Sequence, residues 1–385
     1  MLQGAALRLI PERVLARRLP PRLRWDPEEL PPPPSAPDAH VRLYIAPVNF
    51  AGQGWQWARA VTRYVEGAAA INMVSDLAEG FRHRADRVIP YGAYVASRRW
   101  QRCEFEAVAS AFTHVMIEAE RNPFGAPLDE TCARQASRLR RRGVEVLMLC
   151  HGSDIRSPAR HAAEEPESPF ADELRDRAAV VEAQVRRNRR LLEKIGAPVL
   201  VSTPGLLAHV ETARWLPVVV DPDAWAAPPS SAGEVPLVVH APSKALNKGS
   251  AFVDASMTRL AEDGVIRYRR LTGVPHEEMP EAIRGADIVI DQLRLGDYGV
   301  AACEAMAAGR VVVGHVSAAV RTLVAERTGR ELPIVEATAR DLESVVRAIA
   351  TDPEPAARIA GQGPGFVRAV HDGRLSADVL AELLV

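Results

Sequence analysis

The stretch Asp287-Ile-Val-Ile-Asp-Gln-Leu-Arg-Leu-Gly-Asp-Tyr-Gly-Val-Ala-Ala-Cys-Glu-Ala-Met-Ala-Ala-Gly-Arg-Val-Val-Val-Gly314 decides the fold. Ile288 to Ile290 form a β-branched apolar run that predicts a strand, and Val311 to Gly314 predict the next. Between them lie a glycine-bearing loop and a helix that starts at Val300. Gly299 lets a backbone approach a ligand closely, and the first NH groups of a helix have no intrahelical partner, so the spot favours an anion. Glu304 stands one turn in, where two oxygens of one carboxylate match two adjacent ribose hydroxyls. Strand, glycine loop, helix and strand in this order suit a nucleotide sugar.

Working outward, the same alternation of apolar strand and amphipathic helix continues on both sides. Further strands are expected at 237–240, 266–271 and 333–335 after this stretch's own unit begins, and at 41–46, 71–74, 113–117, 144–150 and 199–202 before it. Helices are expected at 55–69, 129–142 and 172–194. The fold class is therefore α/β, with two α/β units in tandem, each built on a mostly parallel sheet. The expected division is a basic, Pro-rich arm at 1–40, a first domain at 41–220, a second at 221–350, and C-terminal helices at 351–385 that cross back to the first.

The chain has 385 residues, 47% of them apolar and 25% charged, enough to bury two substantial cores. Lys and Arg number 48 against 49 Asp and Glu, and the net charge of -1 gives no reason to expect a nucleic-acid partner. Cys103, Cys132, Cys150 and Cys303 are widely spaced without a C-x-x-C pair, which argues against structural zinc and a disulfide framework and for a reducing cytoplasm. No run of about 18 apolar residues is present to span a membrane. The arm carries Arg8, Arg13, Arg17, Arg18, Arg22 and Arg24 opposed only by Glu12. It reads as a loosely ordered segment packed on the domain, or as a peripheral contact with the inner membrane face. Pro11, Pro20 and Pro21 interrupt any long helix there, and Pro31 to Pro34 make a stiff linker.

In open parallel sheets ligands gather beyond the carboxyl ends of the strands, so the loops there hold the candidates. Pro47-Val-Asn-Phe-Ala-Gly-Gln-Gly54 opens a helix, and Gly52 and Gly54 let backbone NH groups meet a diphosphate or an acceptor; turns of this kind also use glycine for geometry alone. His151, in His-Gly-Ser-Asp154, is placed to hydrogen-bond a sugar hydroxyl, against the alternative of a ring satisfied by backbone. Lys244 and Lys248 sit in a loop after the strand at 237–240, where two ammonium groups stabilise a departing diphosphate. Lys248-Gly249-Ser250 is not the order of a P-loop, so ATP hydrolysis is a poor reading.

Taken together, the glycine loop Gly52 to Gly54, His151 to Asp154, Ser202-Thr203-Pro204, Ser243-Lys244 to Lys248-Gly249, and Tyr298-Gly299 with Glu304 to Gly309 resemble the retaining glycosyltransferases of GT-B fold. The resemblance covers most of 41–372 and implies two Rossmann-like domains facing across a cleft. It implies that the first domain takes the acceptor and the second holds a nucleoside-diphosphate sugar, which is the donor substrate and leaves no separate cofactor or metal to be named. The family carries two glutamates with seven residues between them; Glu304 matches the second, while Gly296 stands at the first. That first glutamate helps hold the donor sugar in the family, and Asp297, one residue on, is expected to substitute for it in part. By the same resemblance Glu304 binds the ribose, Lys248 the diphosphate, and the backbone of Asp297, Tyr298, Gly299 and Val300 forms the cradle for phosphate and sugar. His151, Lys248 and Glu304 are the catalytic candidates. No protein nucleophile is implied: the acceptor hydroxyl attacks from the face the diphosphate leaves, and a donor phosphate oxygen takes its proton. The acceptor, whether small molecule, glycan or lipid-linked, is unspecified.

Rival readings are a metal-dependent transferase, for which Asp221-Pro222-Asp223 has the spacing although a turn explains it as well, a sugar-nucleotide epimerase of the same architecture, and a non-catalytic sugar-nucleotide binder. Arg138 to Arg142 and Arg186 to Arg190 read as solvated helix faces or as a site for a lipid diphosphate. Trp55, Trp57 and Trp100 read as core, or as a wall against which a sugar stacks.

Overall fold

A computed structural model describes residues 11–76, 83–125, 130–229, 235–242 and 245–385. The chain forms two compact units: Met1–Asp154 with Arg187–Leu200 and Ala377–Val385, and Ile155–Arg186 with Val201–Ser376.

Seven strands build the first sheet: β1 (Val41–Ala46), β2 (Ala68–Asp76), β3 (Arg87–Pro90), β4 (His114–Glu118), β5 (Glu145–Cys150), β6 (Val199–Val201) and β7 (Arg214–Trp215). They run in the order β3-β2-β1-β4-β5-β6-β7. The pairs from β3 to β5 are parallel, with Tyr44 of β1 opposite Ile71 on one side and Val115 on the other. Central strands of a parallel sheet are covered on both faces, which is why Leu43 to Ala46 of β1 and Val146 to Cys150 of β5 are continuous apolar runs rather than alternating ones. Leu43 to Ala46 and Met148 to Cys150 are fully buried. The helix Gln53–Tyr64 seats Trp57 and Val61, both inaccessible, against this sheet. Losing a side chain as large as Trp57 from such a site costs about 3–5 kcal/mol.

The second sheet contains β8 (Leu237–His240), β9 (Arg267–Arg270), β10 (Ile288–Ile290), β11 (Val311–Gly314) and β12 (Val335–Glu336), ordered β12-β11-β10-β8-β9 and parallel throughout. Its core gathers Val238, Ile288, Ile290 and Val313 from the strands with Val253, Met257 and Leu260 of the helix Ser250–Glu262 and Leu342, Val346 and Ile349 of the helix Leu342–Thr351.

Several local expectations are corrected. The helix expected at 55–69 stops at Tyr64: Gly67 turns the chain at φ +70, and Ala68 to Ala70 join β2 because pairing with β1 overrides the weak strand preference of alanine. Strands β3 and β7 have no counterpart among the expected ones; β3 is an edge strand, where its closing Pro90 is tolerated. The described part of the arm is packed rather than loose. It forms a helix, Glu12–Arg18, that buries Ala16, and a Cβ added to Gly92 would stand 2.6 Å from the carbonyl carbon of Leu23. Arg87 donates to the Pro32 carbonyl at 2.7 Å, fixing the proline tract. Among the described residues no helix is long and apolar enough to cross a membrane.

Candidate functional site

In the second unit, β10 ends at Ile290 and the chain loops through 291–299 before the helix Val300–Ala307. Among the described residues no side chain caps that helix and no atom lies within 4 Å of a Cβ built at Gly299, so they leave its amino end uncovered. The helix is seated from behind by Gly363–Val370, with Gly363 so close that an added Cβ would fall 2.6 Å from the Met306 carbonyl oxygen.

Glu304 rises from this helix with its side chain only 11% exposed. Its Oε1 lies 3.3 Å from His276 Nε2. Burial pushes the Glu304 carboxyl above its ordinary range, against the pull of His276 and Lys248 and with the push of Asp291. His276 moves up in turn, chiefly through its hydrogen bond to Glu304. Lys248 closes a short helix, Ala245–Lys248, and Gly249 at φ +72 turns the chain into Ser250–Glu262. The Lys248 ammonium is 17% exposed and sits 2.7 Å from Asp291 Oδ1. Lys248, Asp291, Glu304 and His276 thus form one charged group beside the open helix end. Lys244 lies outside the described residues.

Asp297 and Tyr298 support this site without facing it. Asp297 Oδ2 accepts from Thr203 Oγ1 at 2.6 Å and from Arg156 at 3.2 Å, and Oδ1 takes the Tyr298 amide at 3.0 Å. With both oxygens committed and the residue 4% exposed, Asp297 is not available to replace a carboxylate missing at 296. The expectation that it substitutes is corrected; its task is to pin the loop. Tyr298 is buried, and its hydroxyl meets His371 Nε2 at 3.2 Å, so only its backbone can line a ligand site.

In the first unit, the loop after β1, the end of β4 and the loop after β5 meet. His151 Nε2 lies 3.1 Å from Glu118 Oε1, and the ring packs edge-on to Phe50 at 5.1 Å and near Trp57 at 5.9 Å. Glu118 Oε2 accepts the Val48 amide at 3.3 Å, and burial pushes this carboxyl up. Gly52 has φ +74, and Gly54 lies against the Val48 carbonyl oxygen, 3.2 Å from where its Cβ would be. Part of the helix end that these glycines open is already used: Asn49 Oδ1 takes the Trp55 amide at 3.1 Å. The sequence candidates therefore fall into two groups, Gly52, Gly54 and His151 in one unit and Lys248, Asp297, Tyr298, Gly299, Val300 and Glu304 in the other.

One set of atoms among the described residues has the geometry for a metal: Glu120, Cys150 and Asp154 place ligand atoms within 4.8 Å of one another. Hydrogen bonding accounts for it. The Cys150 thiol donates to Glu120 Oε1 at 2.8 Å, Asn188 donates to Oε2 at 3.2 Å, and Asp154 Oδ2 receives the His151 amide at 2.7 Å. Burial, with Asp154 nearby, pushes Glu120 up to about 8, so it holds a proton at neutral pH. The Asp221-Pro222-Asp223 spacing is a helix start: Asp221 Oδ1 caps the amides of Asp223 and Ala224, and Asp223 pairs with Arg368 at 2.7 Å. Arg138 pairs with Glu130 and lies 3.8 Å over the Phe105 ring, and Arg142 pairs with Glu106, so this cluster is a partnered helix face.

His276, Asp291 and Arg156 were absent from the sequence candidates. Asp291 carried a signal, its place at the carboxyl end of β10 beside a basic loop. His276 and Arg156 carried none, since each reaches the site from a segment remote in sequence.

No model of a known protein family matches the chain. No curated protein matches it in sequence. Solved structures match it in fold. Sucrose-phosphate synthase from Thermosynechococcus elongatus is 14% identical, with 89% of this chain and 97% of that one covered at a TM-score of 0.57. HepE of Anabaena, in complex with UDP and glucose, is 12% identical, with 89% and 98% covered at 0.59. A glycosyltransferase from Rickettsia africae is 11% identical, with 89% and 97% covered at 0.52. At this identity the likeness speaks for the fold: the chain has the two-domain α/β architecture of GT-B glycosyltransferases.

Proposed function

We propose that the protein is a retaining glycosyltransferase that uses a nucleoside-diphosphate sugar. The observation that carries this reading is the placement of Lys248 and buried Glu304 in one charged group beside the uncapped amino end of Val300–Ala307, with open space over Gly299. An uncapped helix end and an ammonium together suit a diphosphate, and a carboxylate suits the ribose diol. The GT-B neighbours support it, HepE having been solved with UDP and glucose.

In the proposed reaction the bond from sugar C1 to the diphosphate oxygen breaks and a bond from C1 to the acceptor oxygen forms on the same face. The acceptor proton passes to a phosphate oxygen of the leaving group, so the products are the glycoside and the nucleoside diphosphate. Negative charge grows on the diphosphate as it leaves, and Lys248 with the helix amides stabilises it more in the transition state than before. His151, held by Glu118, is the proposed contact for an acceptor hydroxyl in the first unit.

A thermal-shift screen over UDP-, GDP-, ADP- and TDP-linked sugars tests the reading, because a ligand that binds the folded state raises its apparent stability. One class should stabilise the wild type and fail to stabilise Glu304→Ala. Silence across all four classes, or equal stabilisation of wild type, Glu304→Ala and Lys248→Ala, rejects it. NMR of the product's anomeric centre checks retention. Assay in chelator checks whether a divalent cation takes part.

A further inference from the structure

Gly296 lacks a side chain in the middle of the loop before Val300–Ala307, and it has φ +61. The space its Cβ would take is filled. A Cβ built there would stand 2.6 Å from Glu165 Cδ, closer than such carbons approach. Glu165 follows the helix Pro158–Glu164, whose amino end is capped by Ser157 Oγ.

Segment 156–173 is tied to loop 292–297 along its length. His161 Nε2 meets the Leu295 carbonyl at 3.3 Å, and Arg156 donates to the same carbonyl at 3.0 Å. Arg294, with its side chain 1% exposed, donates to the carbonyls of Glu167 at 2.6 Å and Ser168 at 3.1 Å, and pairs with Asp172 and Glu173. Glu165 is therefore a built part of the loop's surroundings.

Its carboxylate is oriented. Oε2 lies 2.9 Å from His315 Nε2, His315 Nδ1 lies 2.6 Å from Glu336 Oε1, and Glu336 Oε2 takes Arg321 at 2.9 Å. Hydrogen bonds to Glu165 and Glu336 push His315 up to about 9, so the ring is a cation at neutral pH and the four charges balance. Glu165 Oε1 has no hydrogen bond among the described residues, and the side chain is 14% exposed. An immobilised carboxylate oxygen without a donor, over the loop that leads into the nucleotide's helix, is a ready acceptor for a neutral hydroxyl.

We infer that Glu165 is a donor-positioning residue: it brings a carboxylate from another segment into the space above Gly296, and its Oε1 accepts a hydroxyl of the donor's sugar. The inference rests on the proposed function and assigns the sugar contact within it.

Calorimetry on the full chain tests it, with UDP-glucose and UDP as one pair of probes and GDP-mannose and GDP as another. Glu165→Ala should weaken binding of the preferred sugar nucleotide about 10- to 100-fold, the size of a lost charge-assisted hydrogen bond, and leave the sugar-free diphosphate within about twofold. If Glu165→Ala does not fold, the isosteric Glu165→Gln takes its place, with a loss of about tenfold expected for the sugar nucleotide alone. Equal weakening of both probes of a pair, or no weakening of either, overturns the inference and leaves the proposed function standing. A wild type that binds neither sugar nucleotide overturns both.

Discussion

Glu304 and Lys248 come from different helices, and what makes them a unit is the buried charge between them. A carboxylate that is nearly inaccessible needs partners, and His276 and Lys248 provide them. On the proposed function Glu304 is the ligand of the ribose diol and Lys248 that of the diphosphate, so Glu304→Ala is expected to weaken sugar-nucleotide binding about 10- to 100-fold by calorimetry, and Lys248→Ala by a similar factor. Asp297 makes a different prediction. Its pairing with Arg156 is buried, so Asp297→Asn leaves a guanidinium uncompensated and should cost about 3 kcal/mol in urea denaturation. At this scale the sequence singled out Glu304, Lys248 and His151 as candidates, because each lies in the loop or first helix that follows an apolar strand. The partners that tune them come from elsewhere in the chain, and no local spacing announces them.

The helix Val300–Ala307 depends on its neighbours as much as on its own residues. Gly363 permits the close approach of Gly363–Val370, and Gly363→Ala would drive a methyl into the Met306 carbonyl. Ala favours a helix by about 1 kcal/mol over Gly, yet overpacking costs about 1–3 kcal/mol. The net expectation is a lower melting temperature together with weaker sugar-nucleotide binding, since the helix carrying Glu304 must shift. Gly365→Ala, where nothing lies within 4 Å of the added carbon, serves as the control and should leave the melting temperature unchanged or raised. Equal behaviour of the two variants would count against close packing as the reason for Gly363. Most elements were legible from apolar runs and helix-opening loops. The failures, β2 beginning at alanines and the short β3 and β7, occur where pairing with a neighbouring strand decides a segment whose own preference is weak.

Over the whole molecule, buried histidines of the second unit set a pH window. Burial lowers His161, His240 and His371 to about 4 each, and they are 3%, 0% and 1% exposed. A depressed pKa contributes stability that is present above the unfolded value near 6.5 and lost as pH falls toward 4, of order 1–3 kcal/mol per group. His315 is the opposite case. Raised to about 9, it contributes fully below about 6.5 and loses that contribution as pH climbs through 9, of order 1–2 kcal/mol after screening by solvent. The histidines' contribution to stability in urea should therefore be greatest between about pH 6.5 and 7, with Glu120, raised to about 8, adding to the loss as pH rises through 8; His315→Gln should make the alkaline limb shallower while leaving the acid limb in place, and an unchanged alkaline limb would contradict the charged relay. The sequence by itself determined two α/β units with a strand, glycine loop, helix and strand at 287–314, because strand and helix periodicities and glycine punctuation are local properties. Only the tertiary structure decided that Asp297 is locked, that His276 and Asp291 join the charged group, and that Glu165 fills the space over Gly296. Those contacts join residues far apart along the chain, and their energy exists only once packing has brought them within hydrogen-bond distance and removed the water between them.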